Sequence, residues 1–320
     1  MDALSEVLKT LQLENTVCWR VELSTPWGLR IADYNGAVFF VVTRGSCWLE
    51  AESLKMPLPL VGGDLVVLPC GQKHVLRDDP NSSEIDLEDL LCSLTNQDEV
   101  LRFGGGGLST ALVYGRFRFE QRAVHHPLLS ALPPLILVRG EEGRAVEWLD
   151  MTMQFMSCEM AAQRPGVQTV ISHLSGILFI QAVRAYIASK EDCSRCWIRA
   201  LTHPQIGVAL GLIHQHCQEP WTVATLAVRV GMSRSAFSAE FAQLVGEPPL
   251  KYLTRWRMHR AARLLRLGHT SLAQIAAQVG YESEAAFSKA FKRWMDESPG
   301  AYRQSTMRRE TQAAATVNNL

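Results

Sequence analysis

At 320 residues, 47% hydrophobic and 20% charged, the chain has the composition of an ordinary globular protein, long enough for two or three domains, and is neither disordered nor fibrous. Lys and Arg balance Asp and Glu to a formal net charge of zero, which excludes a uniformly basic or acidic protein and makes the local distribution of charge the informative quantity. No apolar run reaches the roughly 18 residues of a membrane span, MDALSEVLKTLQL carries acids too early for an export signal, and the eight cysteines show no scaffold spacing; no membrane partner, a cytoplasmic location and reduced thiols are therefore expected.

Residues 1–14 read as a short amphipathic helix. From Val17 to Phe119 the chain turns to short β-rich runs: VFFVVTRGSCWLEA (38–51) holds two strands around Arg44-Gly45, DLVVLPCG (64–71) a third and TALVYGRFRFE (110–120) another. Many short strands at this spacing predict a small sandwich or barrel. The acidic, Ser/Asn-rich stretch 78–99, leading into Gly104–Gly107, reads as a mobile insertion; these glycines lack the Lys-Ser/Thr of a phosphate loop. After His125-His126-Pro127, read as a turn, residues 127–137 and 145–162 are expected to be helical. Residues 166–189 form a longer helix, apolar over most of its surface, with Val170, Leu174, Ile177, Leu178, Gln181 and Ala185 near one stripe. Such a helix is either central to a core or the face of a dimer; a homodimer through 127–189, disrupted by Leu174→Arg or Leu178→Arg, is the expectation. Cys193-x-x-Cys196 has no second pair to complete a zinc site and falls in a linker.

The resulting α+β plan has five parts: a sensor-like β domain at 1–125, a helical dimerisation segment at 126–190, a linker at 191–202, an all-α module at 203–305 and a frayed tail at 306–320. Residues 203–305 hold twelve Lys and Arg against seven Asp and Glu, a balance of +5, which leaves −5 on the remainder. A basic third beside an acidic remainder fits a nucleic-acid module attached to something else.

Within that module the sequence repeats itself. TVATLAVRVGMSRSAFSAEFAQLVGEPPLKY (222–252) and SLAQIAAQVGYESEAAFSKAFKRWMDESPGAY (271–302) share Ala227/Ala276, Val230/Val279, Gly231/Gly280, Ser233/Ser283, Phe237/Phe287, Phe241/Phe291, Pro249/Pro299 and Tyr252/Tyr302. Each reads as a helix-turn-helix: a capping Thr222 or Ser271, a glycine at the left-handed turn, then a second cap, Ser233 or Ser283. A helical bundle with chance glycine turns is the alternative; two units in register weigh against it. The faces opposite the buried phenylalanines carry Arg234, Ser235, Ser238 and Ala239 in the first unit, and Glu284, Ala285, Ser288, Lys289 and Lys292 in the second. The joining helix, LKYLTRWRMHRAARLLRL (250–267), carries Arg255, Arg257, Arg260, Arg263 and Arg266, which read either as a solvated face or as phosphate contacts.

This constellation over 203–305 resembles the AraC/XylS family of bacterial transcription regulators. The resemblance implies a seven-helix module binding double-stranded promoter DNA, with base-reading positions at Ser235, Ser238, Ala239, Ala285, Ser288 and Lys289. Ser233, Arg234, Ser283, Glu284 and Lys292 complete the expected DNA-facing set, and RNA polymerase is a further candidate partner. These side chains are mostly short, so bidentate Arg-to-guanine or Gln-to-adenine readout is scarce and the operator cannot be read off.

Residues 63–78, GDLVVLPCGQKHVLRD, fit the second cupin motif: Gly63, Pro69-Cys70-Gly71 and His74. Upstream, DYNGAVFFVVTRG (33–45) has no His-x-His, so His74 alone does not make a metal site; no metal, other cofactor or catalytic set is expected. This half resembles the cupin-like sensor of one AraC subgroup. His74 is read as hydrogen-bonded inside the barrel or as contacting an effector, and a small-molecule pocket is expected near Trp27, Phe39, Trp48 and His74. Some relatives in that subgroup sense reactive chlorine through paired cysteines. Cys18 matches one of the pair, but Tyr114 stands where the partner cysteine falls; thiol sensing at Cys18 is the runner-up. A cupin enzyme fused to a DNA-binding tail is the competing class. The expected function is transcription regulation controlled at the N-terminal domain by a small molecule or stress signal.

Overall fold

The computed structural model describes residues 3–10, 13–92, 100–119, 127–141, 145–162, 164–189, 197–266, 268 and 270–305. The His125-His126 turn, Cys193-x-x-Cys196, the tail from 306 and part of the insertion (93–99) lie outside the described residues. The chain divides into two compact units, Thr10–Asp192, and Met1–Lys9 together with Cys193–Leu320.

Helix α1 (Ala3–Thr10) opens the chain. The first unit then runs β1 (Leu13–Ser24), β2 (Gly28–Ile31), β3 (Ala37–Arg44), β4 (Ser46–Ala51), β5 (Leu58–Val61), β6 (Leu65–Leu68), β7 (His74–Arg77), β8 (Ile85–Asp86), α2 (Leu87–Cys92), β9 (Val100–Gly104), β10 (Ser109–Phe119), α3 (Pro127–Ala131), β11 (Ile136–Val138), α4 (Glu147–Ala162) and α5 (Val167–Ser189). One sheet has the order β11-β6-β3-β10-β1-β9 and the other β5-β4-β7-β2-β8. Their facing side chains form one core, in which Val38, Phe40, Val42, Leu112 and Tyr114 of the first sheet meet Leu29, Cys47, Leu49, Leu60 and Leu76 of the second.

The sequence of β3 reads as an unbroken apolar run because the strand is covered on both faces. Val38, Phe40 and Val42 face the other sheet. Phe39 lies on the opposite face and stacks on Phe117 at 4.9 Å. Phe117 and Phe119 in turn meet the ring of Phe179 on α5 edge-on, at 5.9 and 5.8 Å. Each such fully buried ring contributes roughly 1.5–3 kcal/mol of hydrophobic stabilisation.

The face of α5 carrying Ile171, Leu174, Leu178, Phe179, Ala182 and Val183 is therefore core, at the i, i+3, i+7, i+8 spacing of one helical face. Leu174 and Leu178, expected at a dimer contact, are buried inside the protomer. Ile177, 48% exposed, stands on the outer face. As a helix, residues 167–189 are long and apolar enough by length and composition to cross a membrane, which corrects the sequence reading that no segment reaches that length; their packing on Phe117 and Phe119 is that of a core helix.

Two further expectations change. Only 127–131 of the stretch 127–137 is helical, and Ile136–Val138 instead adds a strand beside β6. Pro133-Pro134 explains the break: neither can donate the helical hydrogen bond, and each disfavours helix in the residue before it. The acidic insertion is not structureless over its described part, since β8 pairs with β2 in parallel register and α2 follows at once.

The second unit comprises α6 (Trp197–Thr202), α7 (Ile206–Gln215), α8 (Val223–Arg229), α9 (Arg234–Val245), α10 (Pro249–Arg266), α11 (Leu272–Gln278) and α12 (Glu284–Met295), with helix again over 299–305. Helix α6 occupies the second half of the stretch read as linker and buries Ala200 and Leu201.

Candidate nucleic-acid interface and sensor core

The two helix-turn-helix units are built alike, bond for bond. Thr222 and Ser271 each cap a first helix by accepting from the backbone N–H three residues on, and Thr225 and Gln274 return a bond to the cap's own N–H. These reciprocal capping boxes satisfy donors that a helix start leaves open. The turn glycines sit at φ +69° and +78°, a left-handed conformation that side chains with a Cβ resist. Just beyond them, Met232 and Tyr281 each donate to the carbonyl of the matching alanine, Ala227 or Ala276, at 2.9 Å. Ser233 and Ser283 then cap the second helices through Ala236 and Ala286.

Aromatic packing repeats as well. Phe237–Phe241 and Phe287–Phe291 have ring centroids 5.6 and 5.7 Å apart, and Tyr252 and Tyr302 close onto Phe241 and Phe291 edge-on at 5.8 and 5.4 Å. With these phenylalanines buried, the opposite faces of α9 and α12 are turned outward. Ser233, Arg234, Ser235 and Ala239 are exposed and Ser238 half-buried; Ser283, Glu284, Ala285, Lys289 and Lys292 are exposed and Ser288 half-buried. Arg234, Ser235 and Ser238, with Val223, line a surface recess of ≈ 380 Å³.

The arginines of α10 are largely engaged inside the module. Arg257 donates Nε to the Cys217 carbonyl at 2.7 Å and Nη2 to the Glu219 carbonyl at 2.8 Å. Arg255 pairs with Glu247 at 2.6 Å and lies over the Tyr252 ring, and Arg266 donates to the Tyr302 hydroxyl at 2.9 Å. Exposed positive charge on the module includes Arg229, Arg234, Lys251, Arg260, Lys289, Lys292 and Arg293.

In the first unit, the expected pocket residues separate. Trp27 and His74 are each 1% exposed within the core between the sheets. Phe39 faces α5, and its neighbour Phe40 takes the inward place beside His74, at 6.0 Å between ring centroids. Trp48 is half-buried on the outer side of β4, because Cys47 and Leu49 on either side of it point into the core. Two residues absent from the expected set complete the interior, Tyr114 and Arg116. The Arg116 guanidinium lies 5.8, 5.3 and 5.7 Å from the ring centroids of Trp19, Tyr34 and Tyr114 and pairs with Glu88 of α2 at 2.6 Å. Period-two alternation from Phe40 and Tyr114 carried the signal for the inward face.

His74 Nδ1 lies 2.8 Å from the Gln72 carbonyl. Burial pushes its pKa down to about 4, and the charge of Arg116 adds to the effect. His74 therefore stays neutral at physiological pH. Among the described residues no group of three or more His, Cys, Asp or Glu side chains is placed to hold a metal ion.

Cys18 lies opposite Gly115 in the β1–β10 register and Trp19 opposite Tyr114. A Cβ at Gly115 would come within 3.0 Å of Cys18 Sγ and 2.2 Å of the Phe39 ring, so this glycine leaves room for both side chains. Cys18 thus faces α5, with Sγ 3.6 Å from Ser175 Oγ, whereas Tyr114 faces the core. Burial raises the thiol pKa to about 11 against a smaller lowering by Ser175, which withholds the reactive thiolate.

Paired helix-turn-helix units with outward second helices, carried behind a two-sheet cupin domain, define a DNA-binding transcription regulator. A cupin family model matches residues 2–188 and a helix-turn-helix domain model residues 226–305. The chain is 32% identical to the HTH-type transcriptional regulator AlkR of Acinetobacter baylyi over 96% of its own length and 100% of that protein. It is 34% identical to a putative AraC-like transcription regulator of Streptomyces lividans over 95% and 98%. Among solved structures, the DNA-binding domain of AdpA in complex with a target DNA is 35% identical, covering 34% of this chain and 97% of that one at a TM-score of 0.32. The chain belongs to the AraC-like family of transcriptional regulators, with a cupin N-terminal domain and a helix-turn-helix C-terminal domain.

Proposed function

We propose that this regulator acts in the cytoplasm on double-stranded promoter DNA, laying α9 and α12 into successive major-groove segments, and that a small effector in the N-terminal core controls it. The observation that carries the DNA reading is the bond-for-bond repeat of the two helix-turn-helix units, each with its second helix turned outward. In this reading Lys289 would reach a guanine edge, and Ala239 and Ala285 would meet thymine methyls. Ser235, Ser238 and Ser288 add short-range contacts. The caps Ser233 and Ser283, with Arg234 and Lys292, would face the phosphates, and Glu284 would repel a misplaced one. RNA polymerase is the partner through which bound protein would alter transcription. The relatives being transcription regulators supports reading this chain as a regulator rather than an enzyme.

A homodimer fits the first unit. Met151 and Phe155 on α4 and Ile177 on α5 are large, apolar and 65%, 51% and 48% exposed, and exposed apolar surface of this kind marks association. Thiol sensing at Cys18 gains no support from its half-buried position or its raised pKa.

The test is selection from a randomised duplex library by the full chain at several salt concentrations. A defined operator should emerge, and its affinity should fall steeply with salt as phosphate neutralisation releases counterions. Lys289→Ala should weaken recognition in one half of the operator and Ser238→Arg should change preference in the other. Recovery of no consensus sequence would overturn the reading.

A further inference from the structure

We infer that the core between the two sheets holds a subsite for a neutral hydroxyl group on an otherwise apolar molecule, with His74 Nε2 accepting from that hydroxyl and the Tyr114 hydroxyl donating to it. This rests on the reading that the N-terminal domain takes a small effector, and specifies what that effector carries.

The two groups are buried and unsatisfied. His74 and Tyr114 are 1% and 2% exposed, and His74 Nε2 and Tyr114 Oη have no hydrogen-bond partner of normal geometry. Buried polar groups are nearly always satisfied by protein or by a bound molecule. A carbonyl can only accept, so the Gln72 carbonyl at 2.8 Å fixes the proton on His74 Nδ1 and leaves a bare lone pair on Nε2. Arg116 can only donate. Its charge beside Tyr114 addresses the phenol oxygen and leaves the phenol proton for a third group. The His74 and Tyr114 ring centroids are 6.3 Å apart with the rings 23° from parallel, so the two rings are neighbours in the core, and a hydroxyl, which can both donate and accept, meets the needs of both.

Charge selects the class. A cation would meet the Arg116 guanidinium, whereas an anion has no proton to give Nε2, and Arg116 is already paired with Glu88 at 2.6 Å. An ether can accept from Tyr114 but leaves His74 unsatisfied. The rest of the ligand meets apolar surface: Phe40 lies 6.0 and 6.5 Å from the His74 and Tyr114 rings. His74 also borders a mixed recess of ≈ 340 Å³, lined by Leu54, Met56 and Pro57 but also by Glu50, Glu52, Lys55 and Lys73.

The experiment titrates the full chain with phenol, cyclohexanol, anisole, cyclohexyl methyl ether, benzoate and benzylamine, following tryptophan fluorescence and thermal shift. Phenol and cyclohexanol should bind saturably, at least tenfold tighter than their methyl ethers and than the two ions. His74→Phe and Tyr114→Phe should each lose tenfold or more in affinity for the alcohols and leave the ethers unchanged; Tyr114→Phe carries the test if the histidine variant does not fold. Ethers or ions binding as tightly as alcohols, or variants binding alcohols like wild type, would overturn the hydroxyl subsite while sparing the wider sensor reading. No saturable binding by any of the six, the mark of groups that hold an internal water only, would also overturn it. The sensor reading falls separately, when no compound in a broad metabolite panel alters operator binding.

Discussion

The guanidinium of Arg257 lies over the ring of Tyr281, 5.8 Å from its centroid, while its nitrogens hold the carbonyls of Cys217 and Glu219. Arg257 stands on the helix joining the two helix-turn-helix units, the two carbonyls precede the first unit, and Tyr281 sits at the turn of the second. One side chain thereby ties both units to α10 and fixes how the two recognition helices sit relative to each other. Hydrogen bonds from a charged donor are worth about 1.5–3 kcal/mol each.

Arg257→Met should therefore leave each unit folded but loosen their mutual register. We expect about tenfold weaker binding of the full operator, roughly 1.4 kcal/mol, with tolerance of a one-base-pair insertion between its halves that wild type rejects. Gel-shift titration on native and spaced operators reads this; unchanged affinity and unchanged spacing preference would show that the clamp is dispensable.

The two turn glycines should respond unequally to the same substitution. At Gly231 an added Cβ meets nothing within 4 Å, so Gly231→Ala carries only the left-handed backbone penalty of about 1–2 kcal/mol. At Gly280 the Cβ would lie 2.6 Å from the Gln218 carbonyl and 2.7 Å from Arg257 Nη2. Gly280→Ala should thus be the more destabilising by about 2 kcal/mol or more, and should displace Arg257. Urea denaturation of both variants compares them, and equal losses would contradict the packing described.

Association should depend on the outer faces of α4 and α5. Phe155→Arg and Ile177→Arg should yield folded monomers in sedimentation at micromolar concentration. Leu178→Arg, at a fully buried position, should instead unfold the domain, with a loss on the order of 4 kcal/mol or more. A monomeric wild type would remove the dimer from the account.

His74 and Cys18 predict opposite pH limbs. The His74 pKa falls from 6.5 to about 4 on folding, so its neutral form contributes stability that is full above pH 6.5 and lost as pH falls towards 4. That contribution is about 3 kcal/mol, and His74→Phe should flatten the acid limb by that order. The Cys18 thiol rises from 9.0 to about 11; its contribution is full below pH 9 and lost between 9 and 11. Native-state alkylation of Cys18 should accordingly be slow at pH 8, and rapid labelling there would reopen thiol sensing.

The helix-turn-helix half was legible because each signal was local. Caps, turn glycines and period-spaced phenylalanines act within a dozen residues, and the repeat supplied an internal control. The roles of the α10 arginines were not, since Arg257 finds its carbonyl partners some forty residues earlier in the chain and its ring partner on the second unit, contacts a helical pattern cannot express. In the sensor half, the apolar run 37–42 concealed which alternate residues face inward, because α5 covers the second face; Phe39 was taken where Phe40 belongs. The same cover turned Leu174 and Leu178 from a supposed dimer contact into core. The start of the Ile136–Val138 strand was read as the end of a helix because three apolar residues carry no period of their own, and the proline pair before them was the better guide.

The most direct measurement is a hydroxyl-radical footprint of the full chain on the operator it selects. The account predicts two protected segments on one face of the duplex, one helical turn or about 10 base pairs apart, with Lys289→Ala weakening one of them and sparing the other. A single protected segment, or two on opposite faces, would contradict paired recognition helices acting together.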